Sequence, residues 1–269
     1  MAIAQHVSLR LVDGRPLTTC QLQRRALARA VLIKLRGTAL LAFGLADNHL
    51  HLLLACVRAL AAQLAKTVEL SLRRRLTLPV PFSPAHLTAV EDNRHLDRAF
   101  RYVLRQPERH GLDDDPHREA SSLPDLLGLR PLGGFTTANV RRELLRISRQ
   151  DLLDLLGVPD LRPTDGPVEW TVEATLAAAA LPSLAGTACE VVLARRAALS
   201  VIAGRVLPRH AAATLGICDR TLRRARRAPV DATLVEAIRR QLCLRSALPP
   251  VSTSTFPVAG RSVPALRPG

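Results

Sequence analysis

The period of the apolar positions changes several times along the chain, and each change marks an element. From Val7 to Val12 the sequence alternates as Val-Ser-Leu-Arg-Leu-Val, which predicts a first strand, and Asp13-Gly14 is a turn pair. From Thr19 to Leu35 the spacing becomes helical, with Leu22, Ala26, Ala30 and Ile33 expected near one face and Arg24, Arg25 and Arg29 around the rest. An apolar run from Thr38 to Ala46 predicts a second strand, and Asp47-Asn48 a tight turn into a third. In that third strand Leu50, Leu52 and Leu54 share one face and His49 and His51 the other, because strand side chains alternate. A second amphipathic helix is expected from Val57 to Arg75. Leu78 to Pro84 holds three prolines and reads as a break carrying a short extended segment.

The next helix starts at Asp92 or Asn93, either of which can cap it, and is limited near Gln106 by Pro107. Its apolar stripe is Leu96, Ala99, Phe100 and Val103, with Arg98, Arg101 and Arg105 opposite and Tyr102 and Gln106 one turn apart on the border. Asp113-Asp114-Asp115-Pro116 reads as a loop, and Gly133-Gly134 as the end of a first domain.

Beyond this point strand signals stop. Helices are predicted over Arg141 to Leu156, Val172 to Ala180 and Cys189 to Val206, with a proline-rich connector from Pro159 to Pro167. Pro208 to Leu215, the turn Gly216-Ile217-Cys218, and Asp219 to Arg227 then spell helix, turn, helix, with Asp219 as a suitable N-cap. The second of these helices carries Arg220, Arg223, Arg224, Arg226 and Arg227. On an isolated helix these arginines would be a solvated face; after that turn they occupy the recognition position for duplex DNA. A last helix is expected from Ala232 to Arg245, and residues 246–269, rich in Pro, Ser and Thr without an acidic residue, read as a disordered tail.

Charge sharpens this picture. The formal net charge of the 269 residues is +15, which calls for a polyanionic partner, with nucleic acid the first candidate. Only Lys34 and Lys66 are lysines; a GC-rich coding bias accounts for arginine over lysine but not for the excess over acids. Five widely spaced cysteines without a CxxC pair argue against a disulfide framework and a zinc ribbon. No basic segment followed by an apolar run opens the sequence, and its most apolar stretch, Ala174 to Cys189, is interrupted by Pro182 and Gly186. A soluble, cytoplasmic protein without a membrane partner is the expectation.

Two imidazoles on one strand face and a tyrosine on a basic helix suggest tyrosine attack on a phosphodiester. Two neutral imidazoles and an amide oxygen can hold Mg²⁺ or Mn²⁺ with positions left for phosphate and water, and such a cation would polarise the scissile phosphate. The phenolate would displace a 3′ hydroxyl and keep the DNA covalently attached, ready for rejoining. Arginines beside the tyrosine would bind the flanking phosphates.

At these residues the chain resembles the REP-associated tyrosine transposases, relatives of the small single-strand insertion-sequence transposases within the HUH endonuclease superfamily. Asp47-Asn48-His49-Leu50-His51-Leu52-Leu53 is similar to the family's Pro-Asn-His-x-His-Leu-Leu box. Tyr102-Val103-Leu104-Arg105-Gln106-Pro107-Glu108-Arg109 is similar to its Tyr-Ile-x-x-Asn-Pro-Val-Arg box, which His110-Gly111-Leu112 continues. Ala120-Ser121-Ser122 and Leu126-Leu127-Gly128-Leu129 resemble the Trp-Ser-Ser and Leu-Gly segments that follow, and His6-Val7-Ser8-Leu9-Arg10 resembles the first strand. The likeness covers about residues 5 to 130, in the family's order. It departs at Ala46-Asp47, where relatives have Met-Pro, at Ala120, where they have an aromatic, and at Gln106 and Glu108 within the second box.

The resemblance implies His49 and His51 as metal ligands, Gln106 as the third, and Tyr102 as nucleophile; Arg98, Arg101 and Arg105, the arginines beside the tyrosine, are expected on single-stranded DNA, with hairpin-forming repeats as a candidate target. Tyr102 is the only tyrosine in the chain. The expected fold class is α+β: a ferredoxin-like HUH domain over residues 1–135, then an all-α domain with a helix-turn-helix over 136–245 that holds duplex DNA through Arg220, Arg223, Arg224 and Arg227. A different class of reading makes the chain a non-catalytic DNA-binding regulator that retains a relic of the HUH domain. A ferredoxin-like RNA-binding module is the third, and it lacks the aromatic platform such sheets use for stacking. His86, His95, His110, His117 and His210 are expected on the surface or in loops, Glu91-Asp92 and Asp113-Asp114-Asp115 as cap and loop acids.

Overall fold

The strand carrying His49 and His51 lies inside a four-stranded antiparallel sheet. The computed structural model describes residues 2–109, 115–144 and 146–248. Its strands are β1 (Ala4–Arg10), β2 (Leu40–Leu45), β3 (His49–Leu54) and β4 (His86–Val90), in the order β2-β3-β1-β4. Asp47-Asn48 turns β2 into β3, closed by the Ala46 amide donating to the His49 carbonyl at 2.9 Å. Helix α1 (Gln21–Lys34) joins β1 to β2, and α2 (Arg58–Leu76) joins β3 to β4. The fold class is therefore α+β.

The two sheet faces have different covers. Val7, Leu9, Leu50, Leu52 and Leu54 pack under α1 and α2 through Leu27, Val31, Ala61 and Val68. On the opposite face Ala4, Leu53 and Val90 pack under α3 (Asn93–Leu104), which contributes the predicted stripe Leu96, Ala99, Phe100 and Val103. Fully burying each such side chain contributes about 1.5–3 kcal/mol, so two-sided burial fixes the register that sends the leucines one way and the histidines the other. Asp92 caps α3, its carboxylate accepting from the His95 amide at 2.7 Å.

After α3 the chain makes a short turn, α4 (Gln106–Arg109). It resumes at Asp115 and lays residues 120–122 along β2, the sheet edge, with the Leu45 amide donating to the Ala120 carbonyl at 3.1 Å and the Ser122 amide to the Phe43 carbonyl at 2.9 Å. The exposed edge is thereby satisfied. Helices α5 (Leu123–Leu126), α6 (Gly134–Glu143) and α7 (Arg149–Leu156) then extend the apolar cluster beneath α3. Asn139 of α6 donates to the Thr38 and Leu40 carbonyls, both at 2.9 Å.

The remaining helices, α8 (Thr171–Ala179), α9 (Cys189–Ile202), α10 (Pro208–Thr214), α11 (Asp219–Arg226) and α12 (Ala232–Ala247), bury one another through Leu176, Ala194, Ile202, Leu222 and Ile238. A buried charge cluster ties this group to α1. Arg25 donates to Glu119 at 2.5 and 3.2 Å and to Glu173 at 2.6 Å, and Arg245 of α12 donates to Glu119 at 3.0 Å. Burial alone would raise the Glu119 carboxyl, but the charge and hydrogen bonds of Arg25, with Arg245, hold it down at about 2. Nearby, Arg130 pairs with Asp125 in a fully buried fork of two 2.7 Å bonds.

Several expectations are corrected. On α1 the phase is different: Leu22 and Ile33 are exposed and Arg24 and Arg25 are buried, because carboxylates distant in sequence stand beneath Arg25. The single helix expected over Arg141 to Leu156 is two, since Ser148 and Asp151 form a capping box that starts α7 afresh. His86 is exposed on β4 and His117 lies in a turn, both within the expectation of surface or loop, although His117 is buried. Burial, then the neighbouring Arg245, push the His117 pKa down to about 4. Cys218 holds the N-cap position of α11, with Asp219 its first helical residue. Helix α12 continues two residues past Arg245, so Ser246 and Ala247 belong to it; 249–269 of the expected tail, His110-Gly111-Leu112 and Asp113-Asp114 lie outside the described residues. Among the described residues no helix is long and apolar enough to cross a membrane.

Candidate active site

The antiparallel register stacks a row of polar side chains on one sheet face. His51 of β3 stands opposite Ser8 and His49 opposite Arg10, so His6, Ser8 and Arg10 of β1 point to the same side as the two histidines. Helix α3 reaches this side because β2 has a glycine there. Gly44 pairs with His51, and a Cβ at Gly44 would clash with the Val103 carbonyl oxygen. That missing side chain lets the end of α3 come down beside His51.

The result is a cluster of four rings. The His49 and His51 ring centroids are 4.5 Å apart, Tyr102 lies 5.4 Å from His51 and 5.6 Å from His6, and His6 stacks on His51 at 4.9 Å. Tyr102 lines a cleft with His6, Arg98, Arg101 and Arg105. Gln106 follows α3, and its Nε2 donates to the Tyr102 carbonyl at 2.9 Å. Tyr102 thus links the groups: its ring stands beside His51 and His6, its cleft holds Arg98, Arg101 and Arg105, and its carbonyl accepts from Gln106. Arg101 is paired with Asp97 at 3.2 Å and Asp151 at 3.4 Å, and Arg105 with Glu108 at 4.0 Å. Arg220, Arg223, Arg224 and Arg227 form a separate surface, exposed on or just after α11, which packs on α9 and α10.

No family model matches the chain, and no curated protein or solved structure matches it. The site therefore rests on its own geometry.

His6 was not among the predicted site residues. Its Nε2 lies 2.9 Å from His51 Nδ1. The alternation of β1 places it opposite Val7 and Leu9, but its partnership with His51 depends on a strand register that sequence period does not supply. Burial, then the charges of His86, His95 and His49, push the His6 pKa down to about 4, so it is neutral at pH 7 and has one N–H to share.

Hydrogen bonds fix how the imidazoles sit. Asn48 donates its amide to the Gly14 carbonyl at 3.0 Å, which turns its oxygen to His49 Nδ1 at 2.9 Å. With its proton on Nδ1, His49 donates to that oxygen, and Nε2 is then its candidate ligand atom. If His51 likewise presents Nε2, its Nδ1–H donates to the neutral His6. Gln106 is fully buried, and its Oε1 has no hydrogen-bond partner among the described residues. An orphaned buried carbonyl oxygen costs about 1–3 kcal/mol, which coordination of a cation would remove. Two imidazole nitrogens and an amide oxygen fit Mg²⁺ or Mn²⁺, which the motif implies.

Proposed function

We propose that this protein is a metal-dependent tyrosine transposase or endonuclease that cleaves and rejoins single-stranded DNA through a phosphotyrosine intermediate. The observation that carries this reading is the 5.4 Å approach of the chain's only tyrosine to His51, beside His49. The strand and helix order, with α1 and α2 on one face of a β2-β3-β1-β4 sheet, supports a ferredoxin-like HUH domain.

His49, His51 and Gln106 would hold the divalent cation, which supplies charge stabilisation for the scissile phosphate. Tyr102 Oη attacks phosphorus and the 3′ oxygen leaves with its electron pair. Arg98, Arg101 and Arg105 bind phosphates of the attached strand. His6 and Asn48 act as positioning residues, setting the tautomers of His51 and His49.

A second reading is favoured by a specific observation. Arg220, Arg223, Arg224 and Arg227 are exposed and carry no ion pair among the described residues. Gly216, at φ 60°, makes the left-handed turn between α10 and α11 that a helix-turn-helix uses. Duplex binding through α11 would recruit the enzyme, or, in a chain that has lost cleavage, would make it a DNA-binding regulator. End-labelled single-stranded hairpins mixed with protein and Mn²⁺ separate the two. A covalent adduct lost with chelator supports the transposase; tight duplex binding without an adduct supports the regulator.

A further inference from the structure

A second cleft meets the imidazole cluster at His49 and shares no lining residue with Tyr102's cleft. It is lined by Ser8, Arg10, His49, Ser83 and His86, and Tyr102 does not reach it, just as His49 does not line the cleft of the α3 arginines. The sheet builds it directly: Arg10 faces His49 across β1 and β3, and Ser8 faces His51 on one side and His86 on the other. The Ser83 amide donates to the Arg10 carbonyl at 2.9 Å, holding residues 83–86 against the end of β1. Arg10 is exposed and has no ion-pair partner among the described residues, whereas Arg101 and Arg105 of the first cleft have carboxylates within 4.0 Å.

Attack by Tyr102 constrains what this cleft can hold. The Oη–phosphorus bond forms as the phosphorus–O3′ bond breaks; the phenol gives up its proton and the departing 3′ oxygen gains one. Attacking and leaving oxygens lie roughly in line across phosphorus. The strand that ends in the new 3′ hydroxyl therefore leaves on the side away from Tyr102. We propose that the Ser8–Arg10–Ser83–His86 cleft is the seat of that leaving strand, the segment 5′ to the scissile phosphate, with Arg10 as its phosphate contact. Arg10 supplies the fixed cation for its backbone phosphate, and the two hydroxyls and the His86 ring supply hydrogen bonds to phosphate and sugar. This assignment rests on the tyrosine transposase reading.

The test uses full-length protein, the single strand dT12, and dT12 carrying one 4-thiothymidine near either end. Light should attach the 5′-end probe to peptides containing residues 8–10 or 83–86, and the 3′-end probe to residues 98–105. Arg10→Ala should weaken dT12 binding and lower the slope of log affinity against log salt by about 0.7, one single-strand phosphate contact, while Arg10→Lys keeps the slope. Reversed polarity, cross-links confined to α11, or an unchanged slope in Arg10→Ala overturns the assignment even when the wild-type protein forms its tyrosine adduct with hairpins. Absence of that adduct in Mn²⁺ overturns the parent reading and this one together.

Discussion

Two helices carry most of the arginine discussed above, and their surroundings differ. On α3 and at its end, Arg101 and Arg105 stand beside carboxylates, next to Tyr102 and a sheet face furnished with three histidines. On α11 and at its end, Arg220, Arg223, Arg224, Arg226 and Arg227 project to solvent, with Leu222 the one residue of the helix buried. Both segments are basic, but only the first has its charge shaped by neighbours. Restrained positive charge around a few convergent groups suits chemistry on one phosphate. Open positive charge on a projecting helix suits electrostatic docking on many.

Removing the open charge should have the largest effect on affinity. With Arg220, Arg223, Arg224 and Arg227 all changed to Ala, duplex affinity at 0.1 M salt should fall about a thousand-fold or more, and the log–log salt slope by about 3 to 4. Adduct formation with single-stranded hairpins should persist in that variant. A salt titration by fluorescence anisotropy checks the first statement and a denaturing gel the second.

Glu119→Ala attacks the junction between the two regions. It leaves Arg25 and Arg245 buried without their shared carboxylate, and losing one partner of a buried pair costs about 3–5 kcal/mol. Denaturant unfolding should show that loss, with α8 and α12 becoming sensitive to proteolysis before the sheet does.

Acid should weaken the protein at two places, the junction at His117 and the imidazole cluster at His6. His117 and His6 both have folded pKa values near 4 against 6.5 in the unfolded chain. The unfolded state therefore binds more protons at these two groups between those values, so their contribution is full above pH 6.5, is lost as pH drops towards 4, and changes no further below; Glu119, held at about 2, adds a further loss in stronger acid. Each histidine contributes up to about 3 kcal/mol to this fall. The thermal midpoint measured from pH 7 to pH 4 should drop, and His117→Gln should flatten part of the slope.

Gly44→Ala is the mildest and most local change. A methyl group directed at the Val103 carbonyl should cost about 1–3 kcal/mol by overpacking. Because the strain falls on the end of α3, adduct yield should drop while duplex binding by α11 is unchanged.

Sequence period made much of this legible. The α3 stripe, the division of β3 into a leucine face and a histidine face, and the glycine turn between the two short helices α10 and α11 are all local patterns, and the structure has them. Arg25 is buried for a non-local reason: its partners Glu119 and Glu173 are distant in sequence, so the charges on α1 read as a solvated side and the phase came out wrong. His6 joins the cluster through a register between β1 and β3 that no local period encodes. Strand β4, which carries His86, had no clear period because it is only five residues long and follows a proline-rich break. Gly44 gave no signal of its own, since its role appears only when α3 is laid across β2.

The central claim is that Tyr102 becomes covalently joined to DNA. Purified protein and Tyr102→Phe would be incubated with end-labelled single-stranded hairpins and Mn²⁺, then run on a denaturing gel. A labelled band at protein size in the wild type, absent in Tyr102→Phe and absent with chelator, is the predicted result. A band of equal intensity in Tyr102→Phe, or no band on any hairpin from a protein that binds duplex DNA tightly, would contradict it.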